Sequence, residues 1–293
     1  MRWQDLGRSS NIGTGSGGGG MGGLVGGGGL ASLAIAAVVF FLTGDPRTAM
    51  QAGGMASGMG GGGGGQVEAG CAEGDQACNF TSAILKGTED VWAAEFSRRG
   101  GTYEPPKLIT FDRQFPTACG TGQSAMGPFY CPGDRTVYID TSFYEELGSR
   151  FGAAGDFAAA YVVAHEVGHH VQTLTGASEQ VAQVRRRGDE RAANQASVRL
   201  ELQADCYAGM WAAQANQLNI QRNGRPLLEP GEEAEALGAA SAIGDDRLQQ
   251  QSQGRVTPDS FTHGSSAQRV RWFRVGFESG DMEACDTFSA RTL

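Results

Sequence analysis

The chain has 293 residues, enough for one large domain or two smaller ones and too many for a miniprotein held by disulfides alone. With 23 lysines and arginines against 32 aspartates and glutamates, its net charge of −9 disfavours nucleic-acid binding, which needs a basic surface. Hydrophobic residues make up 40% of the chain, which excludes a fully disordered protein.

Glycine divides the chain into two parts. Of its 47 glycines, 23 lie within residues 1–65, and the remainder of the chain has close to an ordinary glycine content. We therefore expect a Gly-rich N-terminal segment at 1–20 and a flexible Gly-rich linker at 44–65. One folded domain is expected to follow at 66–293.

The sequence between the two Gly-rich stretches predicts a membrane anchor. No charged residue lies between Arg8 and Asp45, and residues 30–42 are almost entirely apolar. With the uncharged residues before them, they predict a transmembrane helix at 21–43. The arginines before the span favour a cytoplasmic N-terminus and an exported domain, hence a single-pass protein of the cytoplasmic membrane. A cleaved signal peptide is the alternative, but the apolar run begins late and no small-residue cleavage site follows it closely.

The cysteines agree with export. All of them lie in the predicted domain: Cys71, Cys78, Cys119, Cys131, Cys206 and Cys285. An even number without a CxxC pair is more typical of disulfides than of a zinc ribbon. Short separations favour pairing the first with the second and the third with the fourth, which leaves the last two as a pair. Buried free thiols in a cytosolic enzyme are the alternative.

The predicted domain begins with short elements and continues as a run of helices. Apolar spacing predicts a helix over 79–99, an extended segment over 103–111 and a strand over 136–140. Four further helices are predicted at 156–176, 190–216, 231–251 and 265–280. Asp156, Gly176 and Ser265 or Ser266 have the residue types that begin or end helices. A short sheet followed by helices is an α+β layout.

Residues 165–170 read His-Glu-Val-Gly-His-His and contain three of the four histidines in the chain. On the predicted helix, His165 and His169 lie one turn apart on the same face, so both can bind one Zn²⁺. Glu166 is rotated by about 100° from His165 and stands beside the metal. There it could act as a general base toward a water at the metal. His170 lies off this face, and we do not expect it to be a ligand.

A catalytic zinc site needs a third protein ligand and an open fourth position. Glu201 on the second long helix is the best candidate, because apolar residues surround it. Asp205 lies one turn further along the same face, where it could accept a hydrogen bond from a ligand histidine. Glu179 and Glu190 are the alternatives, but they lie in polar stretches.

HExxH followed on a later helix by ExxxD resembles the gluzincin pattern of thermolysin-like zinc peptidases. More closely, segments along nearly the whole chain resemble the bacterial neutral zinc metallopeptidase family (YpfJ-like): MRWQ, FYCPGDRTVYID, AHEVGHHVQ, SVRLELQADCYAGMWA and THGSSAQRVRWFRVGFESGD. The resemblance implies a zincin-like domain, one zinc ion per chain, an anchored bacterial protein and peptidase chemistry. It names no substrate.

The gluzincin resemblance also implies a role for the remaining histidine. In such enzymes a late histidine or another donor often stabilises the oxyanion of the tetrahedral intermediate, which His263 could do here. A surface histidine at the start of the last helix is the alternative, and Tyr130 and Tyr138 are other possible donors. If residues 137–140 form the edge of the sheet, their free backbone groups could align an extended peptide.

We therefore expect a membrane-anchored zinc metallopeptidase that hydrolyses a peptide or protein substrate, with Glu166 as general base. One alternative is a catalytically silent, zinc-stabilised envelope protein that binds partners. Glu166 argues against it, because a structural zinc site needs ligands but no base. Another is a zinc amidase acting on cell-wall peptides, which the sequence leaves open because it attacks the same kind of amide carbonyl. No nucleic-acid partner is expected.

Overall fold

A computed structural model describes residues 1–16 and 65–293 of the chain. Its strands are β1 (Ile12–Ser16), β2 (Gln66–Ala69), β3 (Lys107–Phe111), β4 (Gln114–Thr117), β5 (Gly120–Gln123), β6 (Phe129–Cys131) and β7 (Thr136–Asp140). Its α-helices are α1 (Gln76–Arg98), α2 (Phe143–Ser149), α3 (Asp156–Thr175), α4 (Ala177–Arg186), α5 (Glu190–Asn223), α6 (Glu232–Ala242), α7 (Asp245–Gln253) and α8 (Ser266–Ser279). A small sheet with a mostly helical second half confirms the predicted α+β class.

Five strands form one mixed sheet in the order β2-β1-β3-β7-β6, and β4 and β5 form a separate hairpin. β3 runs parallel to β1 and β7, whereas the outer strands β2 and β6 are antiparallel to their neighbours. Residues 137–140 do not form the edge, so the condition for peptide pairing there is not met, since β7 lies between β3 and β6. All five residues of β7 are buried, as expected for an inner strand covered on both faces.

The first 16 residues supply one strand, β1, to the same sheet as the rest of the domain. β1 lies between β2 and β3, and its Ile12 is buried. The sequence had set residues 1–20 apart as a Gly-rich segment. A Cβ at Gly15 would lie 2.6 Å from the Phe115 ring of β4, so this glycine permits close packing of the β4–β5 hairpin on the sheet. Glycine content alone does not distinguish such a strand from a linker.

The transmembrane helix predicted at 21–43 lies outside the described residues, as does nearly all of the linker predicted at 44–65. Within residues 1–16 and 65–293, no helix has both the length and the apolar character needed to cross a bilayer. Ser16 pairs with Gln66 in the sheet, so the two described parts of the chain meet side by side.

Each predicted helix is present, although α5 continues to Asn223, α2 and α4 were not predicted, and one predicted helix is divided. α3 ends before Gly176, which has a left-handed φ of 87°, and α8 begins after Ser265 with a capping box. The single helix predicted at 231–251 is divided into α6 and α7. A Cβ at Gly244, between them, would lie 2.4 Å from the backbone nitrogen of Ser266, so the break lets the chain pass the start of α8.

The predicted disulfides are all present. They join Cys71 to Cys78, Cys119 to Cys131, and Cys206 to Cys285. The second bridge ties the turn of the β4–β5 hairpin to the edge strand β6, and the third ties α5 to the C-terminal segment. α3 packs against α5 on one side and contacts β6 and β7 on another, so the HExxH helix lies under the edge of the sheet.

Candidate metal centre

Three potential metal ligands converge where α3 packs against α5. His165 and His169 come from α3 and Glu201 from α5, and their ligand atoms all lie within 4.8 Å of one another. His165 Nε2 is 3.2 Å from Glu201 Oε2, and His169 Nε2 is 3.6 Å from Glu201 Oε1. The structure thus brings together the three residues that the sequence selected as ligands. The alternatives Glu179 and Glu190 are not part of this group.

The close approach of the two helices depends on small residues. A Cβ at Gly168 would lie 3.2 Å from Cα of Ala204, so a larger side chain at either position would push α3 away from α5. Gly168 lies in the same turn as the two histidines, and Ala204 follows Glu201 by three residues. The helix contact therefore sets the distance between the histidines and the carboxylate.

The far nitrogens of both histidines are held by buried acceptors. His165 Nδ1 is 2.9 Å from Asp205 Oδ1, and His169 Nδ1 is 2.8 Å from Gln172 Oε1. Acceptors at these positions favour the N–H on Nδ1, so each Nε2, which faces Glu201, would supply its lone pair to a metal bound there. Asp205 has the place predicted for it, whereas Gln172 was not predicted. In the sequence, Gln172 could have been found as a polar residue one turn after His169 on an otherwise apolar helix.

These residues fit a zinc ion. Ligand atoms bound tetrahedrally at about 2.0–2.1 Å lie about 3.3 Å apart, close to the two distances from the histidines to Glu201. Two neutral imidazoles and one carboxylate are a common protein ligand set for catalytic zinc. No metal is part of the structure, and the fit rests on the geometry and chemistry of the donor groups.

The charges at the centre favour a cation. Burial alone would lower the pKa of His165, but Asp205 and Glu201 raise it to about 9. Burial would raise the pKa of Glu201, but His169 and His263 hold it well below its usual range. Glu201 is therefore ionised and lies beside the ring nitrogens of two histidines. Its negative charge would favour binding of a divalent cation between them.

Asp205 belongs to a buried network that the sequence did not reveal. Its carboxylate accepts two hydrogen bonds from Arg269 on α8, at 2.8 Å from Nε and 2.9 Å from Nη2. It also accepts one from the Tyr161 hydroxyl at 2.6 Å. Arg269 is only 2% exposed, and it was detectable only as a basic residue on the apolar face of α8. The network fixes the carboxylate that orients His165.

The candidate base is placed beside the ligands. Glu166 follows His165 on α3, is 8% exposed and lines the same cleft as the three ligands. Among the residues that the structure describes, none hydrogen-bonds to its carboxylate. Glu166 is thus free to contact a water or substrate in the cleft, as a general base must.

His263 lies across the cleft from the HExxH helix. Its ring lines the cleft, and its Nδ1 is 3.2 Å from Asp245 Oδ1. Asp245, which the sequence did not identify, also accepts the backbone N–H groups of residues 262–264 and so holds this loop. Despite burial, Glu201 and Asp245 raise the pKa of His263. His263 is therefore positioned close to the negative charge of the metal centre.

The other polar candidates are engaged elsewhere. The Tyr138 hydroxyl donates to Asp134 at 2.9 Å and does not line the cleft. Tyr130 lines the cleft, but its hydroxyl lies 3.1 Å from His170 Nδ1. His170 is completely buried, and its Nε2 lies 2.7 Å from the carbonyl oxygen of Glu104. His170 therefore joins α3 to β6 and to the chain before β3, away from the metal ligands.

The centre opens into a cleft of about 430 Å³. Its walls come from the β4–β5 hairpin, the edge strand β6 and helices α2 to α5, with the segments before and after α7. The apolar side chains that line it include Phe129, Phe143, Phe151, Val162, Val181 and Leu248. Such a cleft can hold an extended polar chain whose side chains are apolar.

Comparison with known proteins agrees with this geometry. Residues 1–288 match the family described as "Putative neutral zinc metallopeptidase". The chain is 55% identical over 214 residues to uncharacterized protein YpfJ of Escherichia coli. This aligned stretch covers 73% of this chain and 72% of that protein. It is 45% identical over 227 residues to uncharacterized proteins of Mycobacterium bovis and Mycobacterium tuberculosis, covering 76% of each chain. No solved structure matches the chain. The family resemblance seen in the sequence is confirmed.

Proposed function

Because the chain belongs to this neutral zinc metallopeptidase family, we propose that it is a zinc-dependent hydrolase of peptide bonds. The observation that supports this most directly is the grouping of His165, His169 and Glu201 beside the unpartnered carboxylate of Glu166. A structural zinc site would use the ligands but would have no need of a base facing an open cleft.

The chain's own residues can perform the proton transfers of hydrolysis. When bound, zinc would supply Lewis acidity to the scissile carbonyl and to the attacking water. Glu166 would take the proton of that water as it attacks, and would return it to the leaving amine. Asp205 and Gln172 would keep the imidazoles oriented during the reaction, since they fix both Nδ1–H groups.

His263 is suited to the developing negative charge on the scissile oxygen. Its ring faces the cleft, and Asp245 holds both the ring and the loop that carries it. A fixed donor of this kind typically contributes 10²–10³ in rate. The geometry thus favours the oxyanion role for His263 over that of a surface histidine.

The substrate would bind along the edge strand. β6 is the outer strand of the sheet next to α3, and it lines the cleft through Phe129 and Tyr130. Its outward backbone groups can pair with an extended peptide and place a peptide bond over the metal ligands. An edge strand above an HExxH helix is the zincin-like arrangement that the sequence resemblance implied.

The test compares two variants of the purified protein. Glu166→Gln should retain zinc and lose at least about 10²-fold in hydrolysis of an unfolded protein substrate, because Gln cannot accept the proton. Glu201→Ala should lose zinc affinity, because two histidines alone form an incomplete site. Zinc content and turnover are measured on the same samples.

Equal turnover in wild type and Glu166→Gln would exclude Glu166 as the base. A wild-type protein that holds zinc and cleaves no peptide would favour the non-catalytic, partner-binding alternative. Cleavage confined to cell-wall peptides would favour the amidase. Each of these outcomes separates hypotheses that share the same metal ligands.

We also propose that the domain acts in an oxidising compartment outside the cytoplasm, next to the cytoplasmic membrane. Three disulfides with no free cysteine support this, because thiols in the cytoplasm are kept reduced. The pairing of Ser16 with Gln66 modifies the sequence expectation. It favours residues 1–16 and 65–293 on the same side of the membrane over a cytoplasmic N-terminus with an exported domain.

A further inference from the structure

We propose that Arg185, at the end of α4, binds a carboxylate of the substrate about two residues from the scissile bond. This inference rests on the proposed peptidase function and adds a substrate class to it, namely peptides with an acidic group near the cleavage point. The carboxylate can belong to an acidic side chain or to the C-terminus of the peptide, and both present the same planar group to the guanidinium.

Arg185 is held in place without an acidic partner. It lines the same cleft as His169 and Glu201, and its Nη2 donates to Ser197 Oγ at 2.8 Å. Ser197 is only 4% exposed, so it anchors the guanidinium to α5. No carboxylate of the described residues forms an ion pair with Arg185. Its neighbour Arg186, by contrast, pairs with Glu179 at 2.6 Å.

The anchor point sets the distance to the metal centre. Ser197 precedes Glu201 by four residues on α5, which is about 6 Å along the helix axis. An extended peptide advances about 3.3 Å per residue. A peptide that lies over Glu201 and runs toward Ser197 therefore brings its second residue beyond the scissile bond to the guanidinium.

The other arginine and the ligand carboxylate of the cleft already have partners. Arg269 is fully engaged with Asp205, and Glu201 faces the two ligand histidines. The rest of the lining is mostly apolar or glycine. Arg185 is thus the cleft arginine, among the described residues, that has donors left for a substrate. Its side chain is exposed, and its remaining N–H groups can donate to a planar carboxylate.

The experiment measures binding and cleavage separately. Zinc-loaded Glu166→Gln protein serves as the binding form, and labelled peptides with a Leu-Phe core serve as probes. One pair has Glu or Gln at the second residue from the core, and another has a free or amidated C-terminus. We expect the carboxylate-bearing member of at least one pair to bind about tenfold more tightly, with the difference shrinking at high salt.

Three further substitutions in that background assign the preference. Arg185→Gln should abolish it, Arg185→Lys should retain part of it, and Arg186→Gln should leave it intact as the matched control. If binding weakens when Glu in the peptide is replaced by Gln, Arg185 binds an acidic side chain. If binding weakens when the peptide is amidated, Arg185 binds the C-terminal carboxylate. A preference that persists in Arg185→Gln, or that is absent from both pairs, overturns the inference.

Cleavage data distinguish this failure from failure of the proposed function. If the wild-type protein cleaves peptides without regard to their carboxylates, only the role of Arg185 is wrong. If the zinc-loaded wild type binds and cleaves no peptide, the peptidase function and the role of Arg185 are both wrong.

Discussion

Asp205 is the residue on which the buried polar groups of the site converge. It accepts hydrogen bonds from His165, Tyr161 and Arg269, and it is completely buried. A buried carboxylate is tolerated only when paired, and Arg269 supplies the countercharge in a bidentate arrangement. Arg269 therefore acts on the metal centre indirectly, as a positioning residue for Asp205 and through it for His165.

We expect Arg269→Met to destabilise the zinc-free protein by about 3–5 kcal/mol, because it removes the bidentate guanidinium partner of the buried Asp205 carboxylate. Urea unfolding of the zinc-free variant and wild type measures the difference. Arg274→Met, an exposed position on the same helix, is the matched control and should change stability by less than about 0.5 kcal/mol. Equal effects at both positions would show that the pair with Asp205 contributes little.

A second residue-scale prediction concerns the orientation of His165. Asp205→Asn keeps the size of the side chain but weakens the acceptor that holds the Nδ1–H group. We expect zinc affinity to fall by about 10–100-fold while the ligands remain. Competition with a chelator measures the affinity, and unchanged affinity would remove Asp205 from the support of the site.

At the scale of elements, the site depends on how closely α5 and α8 cross. A Cβ at Gly276 of α8 would lie 1.9 Å from the carbonyl oxygen of Cys206, and one at Gly209 of α5 would lie 2.0 Å from that of Phe273. Two glycines thus let the two helices come into backbone contact. Since α5 carries Glu201 and α8 carries Arg269, this crossing brings the ligand and the positioning residue together.

Gly276→Ala should therefore destabilise the protein by about 1–3 kcal/mol, because backbone atoms cannot move aside as a side chain can. Gly238→Ala in α6 is the opposite case, since a Cβ there meets nothing within 4 Å. It should stabilise the protein by about 0.5–1 kcal/mol through helix propensity. Thermal unfolding of both variants tests the contrast, and stabilisation by both would contradict the tight crossing.

At the scale of the whole molecule, the sheet joins two parts of the chain that are far apart in sequence. β1 pairs with β2 beyond the undescribed residues and with β3 on its other side. Trp3 packs edge-on against Phe80 of α1, with ring centres 5.7 Å apart, so the contact extends beyond the sheet. We therefore expect the first 16 residues and the rest of the domain to fold in one compartment.

This predicts that Ser10→Cys and Ser252→Cys, both at exposed positions, have the same accessibility in intact cells. A membrane-impermeant maleimide should label both, given the exported location that we propose, and lysed cells give the total for comparison. Labelling of one position and protection of the other would contradict the shared compartment, and with it the pairing of β1 and β2 in the cell.

The metal ligands and most helix ends could be predicted from the sequence, because the information for them is local. His165 and His169 share a helix face through their spacing alone, and Gly176 and Ser265 mark helix ends through their own conformational preferences. Glu201 required one further step, an acidic residue in an apolar helix. These patterns depend on a few neighbouring residues, so they can be recognised without knowledge of the fold.

The supporting residues could not be predicted, because their roles come from long-range packing. Arg269 is 64 residues from Asp205, and only the crossing of α5 and α8 brings them together. Asp245 reaches His263 because α6 and α7 are separate helices. The edge position of β6 depends on strand order, and the place of β1 depends on a pairing across 50 residues. The sequence by itself thus determined the candidate metal ligands and the candidate base. Tertiary structure decided what orients and surrounds them, since buried charges and close helix contacts are specified by residues that are neighbours only in space.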